Sequence, residues 1–114
     1  MILVDEPLVG DVAGTLYFDF ASATLPADAA PVIEAIKAAA DAAPGQRLVI
    51  SGFHDATGDP AKNAELAKER AKAVRAALQA AGVDASRLVL RKPESTTGSG
   101  DDREARRVEV RSAP

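Results

Sequence analysis

The sequence predicts a two-layer sandwich of the α+β or α/β class. In it, two helices pack on one face of a mixed sheet. Short segments of alternating apolar residues are interleaved with two longer segments of helical periodicity, in the order strand, helix, strand, helix, strand, strand (βαβαββ). Strands joined through helices favour parallel pairing in at least part of the sheet. The 114 residues suffice for one domain with a single modest core.

The first strand is predicted from an alternating segment near the N-terminus. TLYFDF (15–20) places apolar side chains at every second position, ending with Phe18 and Phe20 on the face opposite the polar residues. The residues before it show no clear period. We therefore expect an N-terminal arm or leading strand over residues 1–13 and the folded domain over residues 14–114.

Two helices and the strand between them follow from periodicity and end signals. Apolar residues at helical spacing predict a helix from about residue 27 to residue 43, and RLVISGF (47–53) reads as a strand. Asp59 suits the N-cap of the second helix, because its side chain can accept from free backbone N–H groups, and Pro60 suits the first helical position. Gly82 ends that helix.

The C-terminal part alternates strands with a polar loop. RLVLRK (87–92) and RRVEVR (106–111) predict the last two strands, and STTGSGDD (95–102) predicts a loop between them.

Composition excludes several functional classes. Fourteen Lys and Arg against 17 Asp and Glu give a net charge of −3, whereas proteins that neutralise phosphates carry a basic excess, so we expect no nucleic-acid partner. The absence of cysteine removes disulfides and thiolate nucleophiles. No apolar run approaches the length of a membrane span, so we expect no membrane insertion by this segment.

The single histidine, His54, stands beside Asp55, but the pair is a poor catalytic dyad. Adjacent residues at a strand end point to opposite faces, which discourages the hydrogen bond that a base and its orienting carboxylate share. The acidic residues near both turns lack the spacing of known metal loops. We expect no enzymatic activity, no metal and no cofactor.

Asp55 and Arg70 form the most informative pair. Asp55 follows the second strand, and Arg70 lies in the third turn of the helix that runs back over that strand, with Asn63 on nearly the same helix face. A carboxylate can hold an ammonium and a guanidinium can hold a carboxylate, so the pair could clamp a zwitterionic head group. The spacing equally allows a plain Asp–Arg salt bridge that pins the loop.

Three segments resemble the OmpA-like peptidoglycan-binding domain family. The middle segment resembles the family motif G-H-T-D-x-x-G-x-x-x-x-N-x-x-L-S-x-x-R-A-x-x-V, and its matches are Gly52, Asp55, Gly58, Asn63, Leu66, Arg70, Ala71 and Val74. YFDFASATL resembles the opening segment F-D-F-x-S-x-x-L, and RRVEV resembles the closing segment N-R-R-V-E-I. The resemblance covers about residues 14–112.

The resemblance implies an OmpA-like fold and a non-catalytic module that anchors an envelope protein to the cell wall in the periplasm of a bacterium with an outer membrane. Peptidoglycan would be the partner, through the diaminopimelate-type residue of its stem peptide. Asp55 would hold the amino group and Arg70 the carboxylate. The resemblance further implies that Asn63 and one of Arg106 and Arg107 line the pocket. Substitution Arg70→Ala should then abolish binding and leave the fold intact.

Departures from the motif leave a second hypothesis open. Phe53 and His54 stand where the family has histidine and threonine, Ala67 and Ala105 replace serine and asparagine, and the glycine-rich stretch after the third strand is absent. Phe53 and His54 would therefore form altered pocket walls. The alternative is an OmpA-like scaffold that binds other envelope proteins. Protonation of His54 should weaken binding of an ammonium group at mildly acidic pH.

Overall fold

A computed structural model of the chain describes residues 3–4, 12–92, 97–98 and 102–113. The elements lie in chain order as β1 (Leu3–Val4), β2 (Val12–Tyr17), α1 (Ala29–Ala42), β3 (Arg47–Gly52), α2 (Pro60–Ala80), β4 (Leu88–Arg91), α3 (Asp102–Ala105) and β5 (Arg107–Ala113). A short 3₁₀ turn, Ala85–Arg87, precedes β4. Most of the predicted arm and much of the 95–102 loop lie outside the described residues.

The described strands form one mixed sheet in the order β1-β4-β3-β5-β2. β3 pairs parallel with β4, and β4 pairs parallel with β1. β5 lies antiparallel between β3 and β2. α1 packs on β2 and α2 on β3, and the two helices contact each other, so both lie on one face of the sheet. The predicted two-layer sandwich with a mixed sheet is confirmed.

The core lies between the sheet and the two long helices. Its central apolar side chains are fully buried, and these are Ile36, Leu48, Ile50, Val74, Leu78, Val108 and Val110. Their spacing of two in the strands and of three or four in the helices is the pattern that predicts the fold from sequence. No helix in the described ranges combines the length and the apolar character that a membrane crossing requires.

The start of α2 follows its predicted capping signals. Oδ1 of Asp59 accepts hydrogen bonds from the backbone N–H groups of Ala61 and Lys62, at 2.8 and 3.3 Å. Pro60 occupies the first helical position. Gly58, with a φ of +86°, turns the chain from β3 into this cap. The local sequence thus fixes where α2 begins and holds its first turn next to the end of β3.

Close contact between Gly52 and Ala67 sets the distance from β3 to α2. A Cβ atom at position 52 would lie 2.0 Å from the carbonyl oxygen of Ala67, so only glycine fits there. Ala67 itself is buried. Because the backbone of α2 lies this close, the side chain of Arg70, about one turn after Ala67, reaches past the end of β3.

The predicted bounds differ from the structure at two places. The strand predicted over 15–20 ends at Tyr17, and Phe20, predicted to face inward, is 68% exposed. Asp19 and Ser22 form a turn here, since the N–H of Ser22 donates to Asp19 O at 3.2 Å. The second difference is α3, a single helical turn that the sequence pattern does not predict.

Candidate functional site

Arg70 is fully buried at the end of β3. Its Nε donates to the carbonyl oxygen of Ser22 at 2.7 Å, Nη1 to that of Phe53 at 3.1 Å and Nη2 to that of Asp19 at 2.9 Å. Its guanidinium carbon also lies 5.4 Å from the centre of the Phe18 ring. Arg70 therefore ties α2 both to the 19–22 turn and to the end of β3.

This role corrects the expectation that Arg70→Ala leaves the fold intact. Removing the guanidinium would take a donor from three main-chain carbonyl oxygens, of which only that of Asp19 keeps another among the described residues, the Ser22 N–H. Acceptors left unsatisfied in a buried place destabilise proteins. A guanidinium has five N–H groups, and these three bonds leave one on each Nη without an acceptor among the described residues. Arg70 therefore keeps two N–H groups that no described residue accepts.

Asp55 is buried and its carboxylate is held in its charged form. Oδ1 accepts from the Oγ1 hydroxyl of Thr57 at 2.5 Å and from the Thr57 backbone N–H at 3.0 Å. Oδ2 lies 3.4 Å from Nη1 of Arg106. The Thr57 hydroxyl is the largest cause that lowers the pKa of Asp55, the Thr57 N–H and Arg106 add to it, and burial opposes it.

Asp55 and Arg70 line one small cavity but do not pair with each other. The described residues contain no ion pair between them, because Asp55 pairs with Arg106 and Arg70 binds carbonyl oxygens. The cavity has a volume of about 80 Å³. Burial, and then repulsion from Arg106, lowers the pKa of Arg70, while attraction to Asp55 raises it. The charges of Asp55 and Arg70 thus attract each other across the cavity but do not form an ion pair.

The remaining cavity walls come from three places in the chain. The 19–22 turn supplies Phe20 and Ala21, the β3–α2 turn supplies Thr57 and Gly58, and α2 supplies Asn63 and Leu66. Ala21 has a φ of 55°, a left-handed conformation that is uncommon for alanine. Carbonyl groups on both sides of Ala21 are held by Arg70, and this holds the strained turn in place.

Asn63 lines the cavity, and it also stabilises the turn. Its Nδ2 donates a hydrogen bond to the carbonyl oxygen of Thr57. That bond fixes the loop that carries Asp55 and Gly58. Asn63 thus keeps the carboxylate in position and leaves its own Oδ1 near the cavity.

His54 lies buried in the cavity wall. Its Nδ1 lies 2.5 Å from the main-chain oxygen of Asp55, so Nδ1 carries the hydrogen and donates it. The main-chain oxygen of His54 accepts from the N–H of Gly98 at 2.8 Å. The imidazole is therefore oriented by backbone and not by the Asp55 carboxylate.

Phe53 and Arg107, both considered as pocket residues from sequence, lie against each other and are not among the residues that line the cavity. The guanidinium carbon of Arg107 lies 4.3 Å from the centre of the Phe53 ring, and Arg107 also pairs with Glu109 at 2.8 Å. The Phe53 side chain is buried, and it is not among the residues that line the cavity. Phe53 contributes to the site through its carbonyl oxygen, which accepts a hydrogen bond from Arg70. Of the two adjacent arginines, Arg106 reaches the site.

The sequence pattern misses the contribution of the 19–22 turn and of Thr57. Ser22 belongs to the opening motif, but nothing in the local sequence shows that Arg70, 48 positions away, binds its carbonyl oxygen. Thr57 lies two residues after Asp55, the spacing at which a carboxylate commonly accepts from the backbone N–H. That spacing could have identified Thr57.

Comparison with known proteins assigns this arrangement to a family. The sequence model of the OmpA family matches residues 17–110, most of the chain and all of the cavity residues. The chain belongs to the OmpA family. No curated protein sequence matches it.

Solved structures of OmpA-like domains share this fold. The peptidoglycan-associated lipoprotein of Burkholderia pseudomallei is 23% identical with a TM-score of 0.78, over 88% of this chain and 90% of that one. The OmpA-like domain of FopA1 from Francisella tularensis is 23% identical with a TM-score of 0.72, over 88% and 71%. The C-terminal domain of Helicobacter pylori MotB is 26% identical with a TM-score of 0.73, over 88% and 84%.

Metal binding has no support in the described part of the chain, where no group of three or more histidine, aspartate or glutamate side chains is placed to hold an ion. Of the acidic residues near the second turn, Asp101 and the side chain of Asp102 lie outside the described residues.

Proposed function

We propose that this OmpA-family domain binds peptidoglycan through the diaminopimelate-type residue of the stem peptide, and so anchors an envelope protein to the cell wall without catalysis. One observation carries the proposal. Asp55 and Arg70, of opposite charge, line the same cavity with their charges not paired to each other. A zwitterionic amino-acid head group has the complementary pair of charges.

Each end of the head group has a matching protein group. The ligand ammonium would lie on the Asp55 carboxylate, which its neighbours keep charged. The ligand carboxylate would accept the two remaining N–H groups of Arg70, one from each Nη, in the parallel geometry that guanidinium favours. Leu66 and Phe20 offer apolar surface to the methylene chain between them.

The size of the cavity favours recognition of an end group. A volume of about 80 Å³ suits a head group of a few atoms, not a whole peptide. A side chain that ends in its own ammonium and carboxylate, such as that of diaminopimelate, can enter while the peptide stays outside. Contacts of this extent give weak affinity, roughly micromolar to millimolar, but a polymeric wall presents many copies of the ligand.

A binding role fits the position of the histidine better than catalysis does. Nδ1 of His54 is bound to the main-chain oxygen of Asp55, so the carboxylate does not orient the ring as a general base requires. Among the described residues that line the cavity, Thr57 alone carries a hydroxyl, and its Oγ1 donates to Asp55.

Two structural relatives support the proposed setting. One of the similar structures is named a peptidoglycan-associated lipoprotein, and others are periplasmic domains of Helicobacter pylori MotB. We therefore place this domain in the periplasm or cell envelope, in contact with peptidoglycan and near the outer membrane. Its ligand pocket is built from the same motif by which the sequence resembles peptidoglycan-binding domains.

Substitution Asp55→Asn provides the sharpest test, because it removes the charge at nearly constant shape. We expect the variant to fold, to lose cosedimentation with purified sacculi, and to weaken binding of free diaminopimelate by at least roughly tenfold. Asp41→Asn is the matched control, since Asp41 is exposed on α1 and pairs only with Lys37 among the described residues. Equal binding by Asp55→Asn and the control would refute the proposal.

The alternative, a module that binds other envelope proteins, has a distinct outcome in the same experiment. This alternative would be favoured if the folded wild-type domain bound neither sacculi nor diaminopimelate. Nuclear magnetic resonance titration with diaminopimelate discriminates further, since the proposed function requires shifts that centre on the amides of Asp55 to Asn63.

A further inference from the structure

A second, larger cavity lies beside the proposed clamp, on the other side of Arg106. It has a volume of about 470 Å³ and is formed by β2, the segment that leads into α1, and α3. Its charged lining consists of Asp19, Asp28, Arg103 and Arg106. Tyr17, which is 47% exposed, adds an aromatic wall. The proposed function does not use this space.

Arg106 connects the two cavities. It lines the larger one, while its Nη1 contacts Asp55 in the smaller one at 3.4 Å. Its side chain is 19% exposed, and its Nε is buried without a hydrogen-bond partner. Four of its five N–H groups thus lack a protein acceptor in the described ranges. Buried donors without acceptors are rare in folded proteins and indicate a missing partner.

The other charged groups in this cavity make no ion pair among the described residues. Arg103 precedes Arg106 by three positions, and no ion pair joins either arginine to Asp19 or Asp28. The N-cap residue of α1, Asp28, makes no side-chain capping bond. The lining therefore offers two cationic donors and two anionic acceptors to a ligand.

We infer that this cavity is a second subsite, which takes a carboxylate flanked by amide N–H or hydroxyl donors. The inference rests on the proposed function, because the ligand would be continuous with the head group in the clamp. Arg103 and Arg106 would bind the carboxylate, and Asp19 and Asp28 would accept from the donors. A wall fragment can supply this chemistry from a neighbouring residue of the stem peptide or from the acid-bearing sugar.

Arg103→Gln is the test variant, because Arg103 is exposed and lies outside the clamp. Calorimetric titration would compare free diaminopimelate, a diaminopimelate-containing stem tripeptide, and the same tripeptide attached to its sugar. We expect unchanged affinity for the free amino acid, and a loss of roughly tenfold for the ligand that supplies the carboxylate. Loss with the bare tripeptide assigns the carboxylate to the peptide, and loss only with the sugar-linked form assigns it to the saccharide.

The controls separate the two proposals. Lys68→Gln removes one exposed positive charge from α2, away from this cavity, and should change none of the affinities. Equal affinity of wild type and Arg103→Gln for all three ligands would overturn the second subsite while leaving the clamp intact. Failure of wild type to bind free diaminopimelate would instead overturn the proposed function, and with it the inference. Asp28→Asn should reproduce part of the loss if Asp28 accepts from the same ligand.

Discussion

Asp55 is paired with Arg106 and not with Arg70: Oδ2 of Asp55 lies 3.4 Å from Nη1 of Arg106, while Arg70 binds three main-chain carbonyl oxygens. An ion pair at this distance is looser than a short charge-assisted hydrogen bond. An incoming ammonium can therefore take its place without breaking a strong contact. The plain salt bridge between Asp55 and Arg70, which the sequence spacing allowed, does not form.

Thr57 and Arg106 should both favour the charged form of Asp55. The Thr57 hydroxyl bond is the largest cause of the lowered pKa, and Arg106 adds to it through its charge and its hydrogen bond. Thr57→Val, which keeps the shape and removes the hydroxyl, is expected to raise the pKa of Asp55, and so is Arg106→Gln. Titration of the Asp55 carboxyl carbon by nuclear magnetic resonance measures both shifts, and an unchanged pKa in Thr57→Val would contradict the assignment.

The lowered pKa of Asp55 also predicts how the stability of the fold changes as the pH falls. A carboxyl whose pKa is lower in the folded state stabilises the fold fully above its ordinary pKa of about 4, and that contribution is lost as pH falls through the lowered value. Asp55→Asn should therefore reduce stability near neutral pH and flatten its decline below about pH 4. Urea unfolding at a series of pH values would show parallel curves for variant and wild type if Asp55 made no such contribution.

Arg70 should prove essential to folding stability as well as to binding. Arg70→Ala leaves the carbonyl oxygens of Ser22 and Phe53 without this donor and that of Asp19 with only the Ser22 N–H, and each buried acceptor left unsatisfied costs about 1–3 kcal/mol. Arg70→Lys should recover part of this, because one ammonium cannot reach all three oxygens in the guanidinium geometry.

Urea denaturation measures the effect, with Lys68→Ala as the control on the same helix, where the exposed side chain should matter by no more than about 0.5 kcal/mol. If Arg70→Ala were as stable as this control, the hydrogen bonds from Arg70 to the carbonyl oxygens would not contribute to the free energy of unfolding.

Local signals predict the helix that carries the clamp. Asp59 and Pro60 place the start of α2 correctly, and Gly82, with a φ of +107°, marks the turn just beyond its end. Helical spacing alone puts Arg70 and Asn63 on one face, and both line the cavity. These features depend on residues close in sequence, which is why the sequence shows them.

Features that depend on distant contacts were not predictable in the same way. The alternation of Leu16, Phe18 and Phe20 continues past the true end of β2, and what stops the strand is a turn held by Arg70 from α2. The pairing of Asp55 with Arg106 likewise joins residues 51 positions apart. The sequence likewise did not show that Phe53 packs against Arg107 while its neighbour His54 lines the cavity.

Gly52 should tolerate no side chain, because α2 rests on it. A Cβ at this position would lie 2.0 Å from the main-chain oxygen of Ala67, so Gly52→Ala must push the helix away from β3 at a cost of at least about 2 kcal/mol. Gly45→Ala is the matched control, as nothing lies within 4 Å of its Cβ position. Thermal and urea unfolding should separate the two variants, and equal stability would show that the helix adjusts freely.

We predict that binding of an ammonium ligand weakens as the pH falls from about 8 to about 5, through a proton taken up by His54 in the cavity wall. Asp55 does not contribute there, since its lowered pKa keeps it charged. A protonated imidazole would add a positive charge beside the carboxylate, where Arg70 and Arg106 already lie, and would repel the ligand ammonium. Repulsion between the protonated imidazole and the ligand ammonium, at the short distances of this cavity, should weaken the affinity by roughly tenfold.

His54→Thr restores the residue that the family motif carries and should make the affinity for diaminopimelate nearly independent of pH over that interval. Calorimetry at both ends of the range measures the ratio for wild type and variant. If wild type and His54→Thr weaken to the same degree, the proton that matters is bound elsewhere. If neither changes, His54 stays neutral in the cavity and its Nδ1–H bond to the main-chain oxygen of Asp55 serves only to hold the loop.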